Sequence, residues 1–242
     1  MIIPFVLLIY TQFGLDPTEL YNLGNDYFQQ GKYSEAITAY EQASQELSNA
    51  KVFYNLGNAY FKKGMHGKAI LNYRKAQFIA PRDGDIRNNL IFVRNYRVDK
   101  ISSEENPIVK MLSELFRTFS HLESQLLTTV LFVLFALFVS LYIVYRRNVF
   151  GYTAIVVVSL CLFFFMSWRV WAADINGHHA VVIAPEVSAM SGPAEDYKKI
   201  IVLHDGVEVK VRERRGDYFL IQLPRGIGGW LPVDAVEEIT GR

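Results

Sequence analysis

LGNDYFQQGKYSEAITAYEQA (Leu23–Ala43) and LGNAYFKKGMHGKAILNYRKA (Leu56–Ala76) stand 33 residues apart and agree at most apolar positions. Leu23, Gly24, Tyr27, Ala36, Tyr40 and Ala43 return as Leu56, Gly57, Tyr60, Ala69, Tyr73 and Ala76. In each copy two apolar-periodic stretches flank a glycine, Gly31 or Gly64, so each reads as helix, turn, helix. Gly24, Gly57, Ala36 and Ala69 leave room for paired helices to approach, and the tyrosines fill the gap between them. Beyond the second copy, Asp83 is a suitable N-cap for a further helix over about residues 85–97, with Ile86, Leu90 and Val93 on one face. That helix lacks the LGN start and reads as the element that closes the stack.

Spacing and residue types resemble the tetratricopeptide repeat, an all-α solenoid. Pro81 stands where that repeat has its terminal proline; the first copy has Asn49 near that point and is one residue short of the usual period. Two repeats and a closing helix then occupy residues 15–100. The resemblance implies a binding scaffold without chemistry of its own, its groove lined by the first helix of each repeat. The groove candidates are Tyr21, Asn25, Phe28 and Gln29, then Tyr54, Asn58, Phe61 and Lys62. The clamp version of the family grips a C-terminal carboxylate with paired Asn and basic residues. Asn25 and Asn58 match its asparagines, but Tyr21 and Asn88 stand where it has lysines, so the chain departs from that pattern. A groove of aromatics and amides suits an extended or helical protein segment. The competing reading is that Asn25 and Asn58 only cap or satisfy local backbone.

C-terminal to the repeats, charge nearly disappears. Residues 126–173 carry only Arg146, Arg147 and Arg169. LLTTVLFVLFALFVSLYIVY (Leu126–Tyr145) and VFGYTAIVVVSLCLFFFMSW (Val149–Trp168) are uncharged runs, each about the 20 residues that a hydrocarbon core of roughly 30 Å requires. Arg146-Arg147-Asn148 alone separates them, so they form a transmembrane helical hairpin. Its basic loop belongs on the cytoplasmic side, and both flanks on the opposite face. Trp168 and Trp171 bracket Arg169 where an interfacial aromatic belt would sit. Residues 1–14 contain a nine-residue apolar stretch, Ile2–Tyr10, too short to span and read as an export signal, although no Lys or Arg precedes it. Between repeats and hairpin, residues 101–125 read as an amphipathic linker helix. Asn106-Pro107 offers its start, and Ile108, Leu112, Leu115, Phe119, Leu122 and Leu126 form one stripe that lies in the membrane interface or packs beneath the repeats.

Residues 174–242 change character, with eleven acidic and eight basic residues. Val207–Arg212 (VEVKVR) and Tyr218–Leu223 (YFLIQL) alternate around a Gly216 turn, a hairpin signal. With an early strand at Ala180–Ala184 that leads to Val187–Pro193, the stretch Gly226–Pro232 and the short apolar end Ala235–Ile239, they predict a small all-β barrel of five short strands. Ser191-Gly192-Pro193, Leu203-His204-Asp205-Gly206, Gly216-Asp217-Tyr218 and Gly228-Gly229-Trp230-Leu231 resemble the landmarks of the bacterial SH3-like domain. That resemblance implies a ligand-binding barrel, with peptide or cell-wall material as ligand in many relatives. Tyr218 and Trp230 are its binding candidates, core or rim packing being the other role open to Trp230.

No catalytic constellation emerges. His178-His179 is the only His pair, and neighbours on a strand point to opposite faces, so no metal site is expected. Neither G-x-S-x-G, H-E-x-x-H nor a Walker-type phosphate loop is present. Cys161, the single cysteine, excludes an intrachain disulfide and lies within the second apolar run. The chain is expected to be no enzyme and to carry no cofactor. With 25 Lys+Arg against 24 Asp+Glu it has no cationic excess for nucleic acid, and 51% hydrophobic residues exclude disorder.

The whole order of parts (signal-like start, two repeats, helical hairpin, SH3-like barrel) resembles the BatE family of the bacterial aerotolerance (Bat) operon. The resemblance implies an inner-membrane protein with both soluble domains on the periplasmic side. It implies work beside a MoxR-type ATPase and von Willebrand factor A-type membrane proteins, in stress tolerance or envelope-protein maturation. The expected role is a membrane-anchored adaptor, its repeat groove holding a partner protein and its barrel a second partner or cell-wall ligand. A cell-wall or peptide sensor built on the barrel is the alternative.

Overall fold

The computed structural model describes residues 16–100, 106–224, 226 and 228–239; the export signal expected over 1–14 lies outside them. Five helices form the first unit: α1 (Pro17–Gln29), α2 (Tyr33–Glu46), α3 (Ala50–Lys62), α4 (His66–Ile79) and α5 (Gly84–Arg94). Asp16 starts α1 by accepting from the Thr18 amide while Glu19 reaches back to the Asp16 amide, a capping box with Pro17 in the first helical position. Asn49 caps α3, and Asp83 caps α5 through the Asp85 and Ile86 amides. As the sequence predicts, Ile86, Leu90 and Val93 are the buried residues of α5.

Close approach within each repeat depends on glycine. A Cβ on Gly24 would stand 2.6 Å from the Tyr40 ring, and one on Gly57 would stand 2.8 Å from Tyr73. Tyr40 and Tyr73, both buried, therefore pack directly on the backbone of the facing helix.

Helix α6 (Pro107–Phe116) follows, then α7 (His121–Tyr145) and α8 (Asn148–Ile175), which pack together as a hairpin. Both α7 and α8 are long and apolar enough to cross a membrane. The helices extend further than the apolar runs, leaving only Arg146 and Arg147 between them, with Arg146 in the left-handed region at φ 51°. The apolar stripe from Ile108 to Leu126 is carried by two helices rather than one. Ser120 and Glu123 form a capping box that restarts the chain as α7. Ser124 and Ser167 close the hairpin with a 2.7 Å hydrogen bond between buried hydroxyls.

The C-terminal unit is a seven-stranded antiparallel sheet in the order β3-β2-β6-β5-β4-β1-β7. Its strands are β1 (His179–Val182), β2 (Glu186–Met190), β3 (Lys199–His204), β4 (Glu208–Arg215), β5 (Tyr218–Gln222), β6 (Gly228–Pro232) and β7 (Val236–Glu238). The five-strand expectation falls short chiefly at β3, whose KKIIVL run has no alternation to mark it; a bulge at Ala189–Met190 breaks its register with β2. Among the described residues no pairing joins β3 to β7, and β2 meets β6 only through Met190 and Trp230.

Repeats and sheet share a core: Val181 and Ile239 pack in the same buried cluster as Tyr40, Leu71 and Leu90. Glu208 of β4 joins them electrostatically. Arg94 donates to both of its carboxylate oxygens at 2.8 Å, while Arg74 and Arg97 approach to 3.5 and 3.6 Å. Burial pushes the Glu208 carboxyl up, but the three guanidinium groups outweigh it and hold the carboxyl below its ordinary range. Asp205 supplies a second link. The N-cap of α4 is Met65, which has no capping side chain, and the Asp205 carboxylate accepts from the Gly67 amide at 3.0 Å. The hairpin is joined to the repeats as well. Phe78 meets Trp171 edge to face, and Arg82 pairs with Glu123 while covering Phe119.

Two outcomes follow for the junction. A Cβ on Gly67 would lie 2.5 Å from the Val182 carbonyl oxygen, so Gly67→Ala pushes the sheet off α4 at about 1–3 kcal/mol, read as a lower urea midpoint and earlier proteolysis between the units. Because the Glu208 pKa is depressed on folding, its contribution is present above about pH 4 and is lost as pH falls through the folded value. Glu208→Gln should cost roughly 3 kcal/mol at neutral pH and flatten the acid limb of a stability–pH profile.

Candidate functional site

The first helices of the repeats carry a hydrogen-bond ladder. Asn25 Oδ1 accepts from Tyr40 Oη at 2.8 Å and from Asn55 Nδ2 at 2.9 Å, and Asn55 Nδ2 also lies 3.1 Å from Tyr21 Oη. The next rung repeats this. Asn58 Oδ1 accepts from Tyr73 Oη at 2.6 Å and from Asn89 Nδ2 at 3.0 Å, with Tyr54 Oη 3.0 Å from the same Nδ2. Each rung joins the two helices of one repeat to the first helix of the next. Burial is the main reason that the Tyr40 hydroxyl is pushed up to about 12, so it stays a neutral donor throughout the working pH range. Tyr73 is raised in the same direction, again chiefly by burial.

Four of the eight groove candidates, Tyr21, Asn25, Tyr54 and Asn58, thus meet in this ladder. The asparagines do not merely cap local backbone: both lone pairs of each Oδ1 are spent on side chains of neighbouring helices. What each has left is its Nδ2 donor, which has no hydrogen-bond partner among the described residues. Asn55 and Asn89 escaped sequence reasoning; the nearby Asn88, weighed instead, is exposed. Their signal was a shared position in successive first helices, blurred by the 34-residue step between them where the other rung members step by 33.

Phe28 and Phe61 sit at the opposite ends of α1 and α3 from Tyr21 and Tyr54. Phe28 packs edge to face on Tyr33, and at the equivalent point Phe61 meets His66. Phe61 also joins Phe92 and Tyr96 in an edge-to-face cluster with centroids 5.2 to 5.6 Å apart. Phe92 and Tyr96 are each half exposed, and Lys62 is exposed beside them. The closing helix therefore adds aromatic surface where a third repeat would continue the array.

In the sheet, Trp230 is only 8% exposed and the Arg215 guanidinium lies 5.2 Å from its ring. Its indole is packing for the sheet; Tyr218, at the start of β5, is half-buried. His178 and His179 diverge, His178 toward Glu238 at 3.6 Å and His179 toward Asp174 at 3.9 Å. Among the described residues no group of three or more His, Cys, Asp or Glu could hold a metal ion.

Asn58→Ala leaves the Tyr73 hydroxyl without its acceptor and the Asn89 amide with Tyr54 alone, and should cost roughly 1–3 kcal/mol, read as a lowered thermal midpoint. Lys62→Ala, at an exposed position, should stay within about 0.5 kcal/mol of the parent.

Comparison with protein families agrees with the geometry of the helices. Residues 24–64 match the model described as TPR repeat, and residues 50–83 match the one described as Tetratricopeptide repeat. No curated protein matches the chain significantly. Residues 24–83 are tetratricopeptide repeats, a unit associated with binding between proteins.

Proposed function

We propose that the chain is a membrane-anchored, non-enzymatic adaptor that holds a segment of a partner protein in the groove of its repeats. One observation carries the reading. The ladder fixes Asn25 and Asn58 rigidly, each with an unused Nδ2 donor, on helices that end in Phe28 and Phe61, the latter clustered with Phe92 and Tyr96. Amide donors can take backbone carbonyls of an extended segment or the exposed carbonyls of a helix end, while an aromatic cluster receives an apolar side chain. Tyr21 and Tyr54 contribute by accepting from Asn55 and Asn89, the amides that hold Asn25 and Asn58, and Lys62 stands beside the aromatic end as the one cation among the candidates.

The remaining parts complete the proposal. Helices α7 and α8 would cross the bilayer, with Arg146 and Arg147 in the cytoplasm and repeats and sheet on the periplasmic side of a bacterial inner membrane. The sheet would be an SH3-like barrel holding a second ligand, supported by the Gly-rich landmarks around β3, β5 and β6. The resemblance to the Bat operon family adds von Willebrand factor A-type membrane proteins and a MoxR-type ATPase as partners, in stress tolerance or envelope-protein assembly. A sensor reading of the sheet has weaker support, because Trp230 is covered.

The groove is tested by a photo-crosslinking amino acid at Phe28 or Lys62 in native membranes, against the exposed Gln42 of α2 as control. The expected result is a discrete adduct from positions 28 and 62 that position 42 does not give. Equal adducts from all three, or none from the first two, would overturn groove binding.

A further inference from the structure

Helix α6 is built for a partner it does not have among the described residues. Ile108, Val109, Met111, Leu112, Leu115 and Phe116 fall on one side of its helical wheel, and Lys110, Ser113 and Glu114 on the other. Yet no residue of α6 is buried, and the first five of these apolar side chains are 42% to 63% exposed. A water-facing stripe of that kind is unstable for an isolated ten-residue helix, which gains its stability from burying an apolar face.

The attachment of α6 to the hairpin identifies the missing partner. The Phe116 carbonyl accepts from Ser167 Oγ, the Phe119 carbonyl accepts from Trp171 Nε1 at 2.7 Å, and Arg117 grips Asp174 with two hydrogen bonds of 2.9 and 3.1 Å. Phe116 and Phe119 pack on Phe163 and Phe164. From the Arg146–Arg147 turn, about 20 residues at 1.5 Å each reach the far boundary of a hydrocarbon core of roughly 30 Å, which falls at Ser167–Trp168. The C-terminal end of α6 is therefore pinned at the level where acyl chains give way to headgroups, with the Arg117–Asp174 pair on its watery side. Phe116 and the turn after it make these contacts; with no buried residue along its length, α6 does not lie sandwiched against α8.

We infer that α6 lies in the headgroup layer with Ile108, Leu112 and Leu115 turned into the acyl chains, a third membrane contact beside the two spans. This rests on the membrane reading of α7 and α8. Its occupant is lipid rather than a second copy, because the apolar face begins at bilayer height and runs on into the exposed apolar surface of α7 at Leu122 and Leu126. Lys110 and Glu114 cancel, so zwitterionic lipid suffices.

The experiment uses the full chain with Cys161→Ala in phosphatidylcholine nanodiscs. Nitroxides are placed singly by I108C, L112C, K110C and E114C on α6, and by V133C and L137C on α7. Collisions with oxygen, which partitions into lipid, are compared with those of a water-soluble nickel chelate. The expected oxygen-to-nickel ratio is about tenfold higher at 108 and 112 than at 110 and 114, approaching the ratio at 133 and 137. Nickel access at 108 and 112 overturns the inference, as does shielding from both reagents, which would mark a protein contact; lipid-like values at 133 and 137 would leave the spans intact in either case. Nickel access at 133 and 137 would instead remove the spans, and the inference with them.

Discussion

Two helical repeats cannot close their own end. The last helix of the stack, α5, presents Ile86, Leu90 and Val93, and in a longer array the next pair of helices would cover the neighbouring surface. Here a β-sheet takes part in that closure. Val181 and Ile239 complete the buried cluster that begins with Tyr40, and Glu208 gathers Arg74, Arg94 and Arg97 around the seam. Apolar contact supplies the driving force. The carboxylate among three guanidinium groups fixes register, because any slide of the sheet would leave part-buried charges unmatched. Even the bare start of α4 is completed from across the seam, by Asp205.

What could be read from the sequence was whatever repeats or persists along the chain. The helix pairs, the Asp83 cap and the buried face of α5 all follow from periodicity within a dozen residues. The hairpin follows from two long uncharged runs. The seam left no such trace. Arg94 and Glu208 are 114 residues apart, and a long cation on a helix reads the same whether it meets water or a distant carboxylate. Asp205-Gly206 was recognisable as a turn landmark, but its task of capping a helix in the other unit was not. Strand β3 lacks alternation, and Trp230 could be platform or packing until its neighbours were known.

The candidate groove was legible in its members and not in their use. Asn25 and Asn58 stand out by position, and the structure gives each of them partners in two neighbouring helices at once. Such a residue is held by the fold before any ligand arrives, so its free donor is already oriented. The rotamer freedom that a solvent-exposed asparagine would lose on binding is already lost on folding.

The contacts between hairpin and repeats have a mechanical consequence. Phe78 on Trp171 and Arg82 on Glu123 hold the apolar hairpin against the helical array. A groove mounted this way has one height and one heading rather than a sphere of reach. It cannot search on a tether, and it loses no tether entropy on capture. Any protein that it holds must bring its own segment to that fixed address.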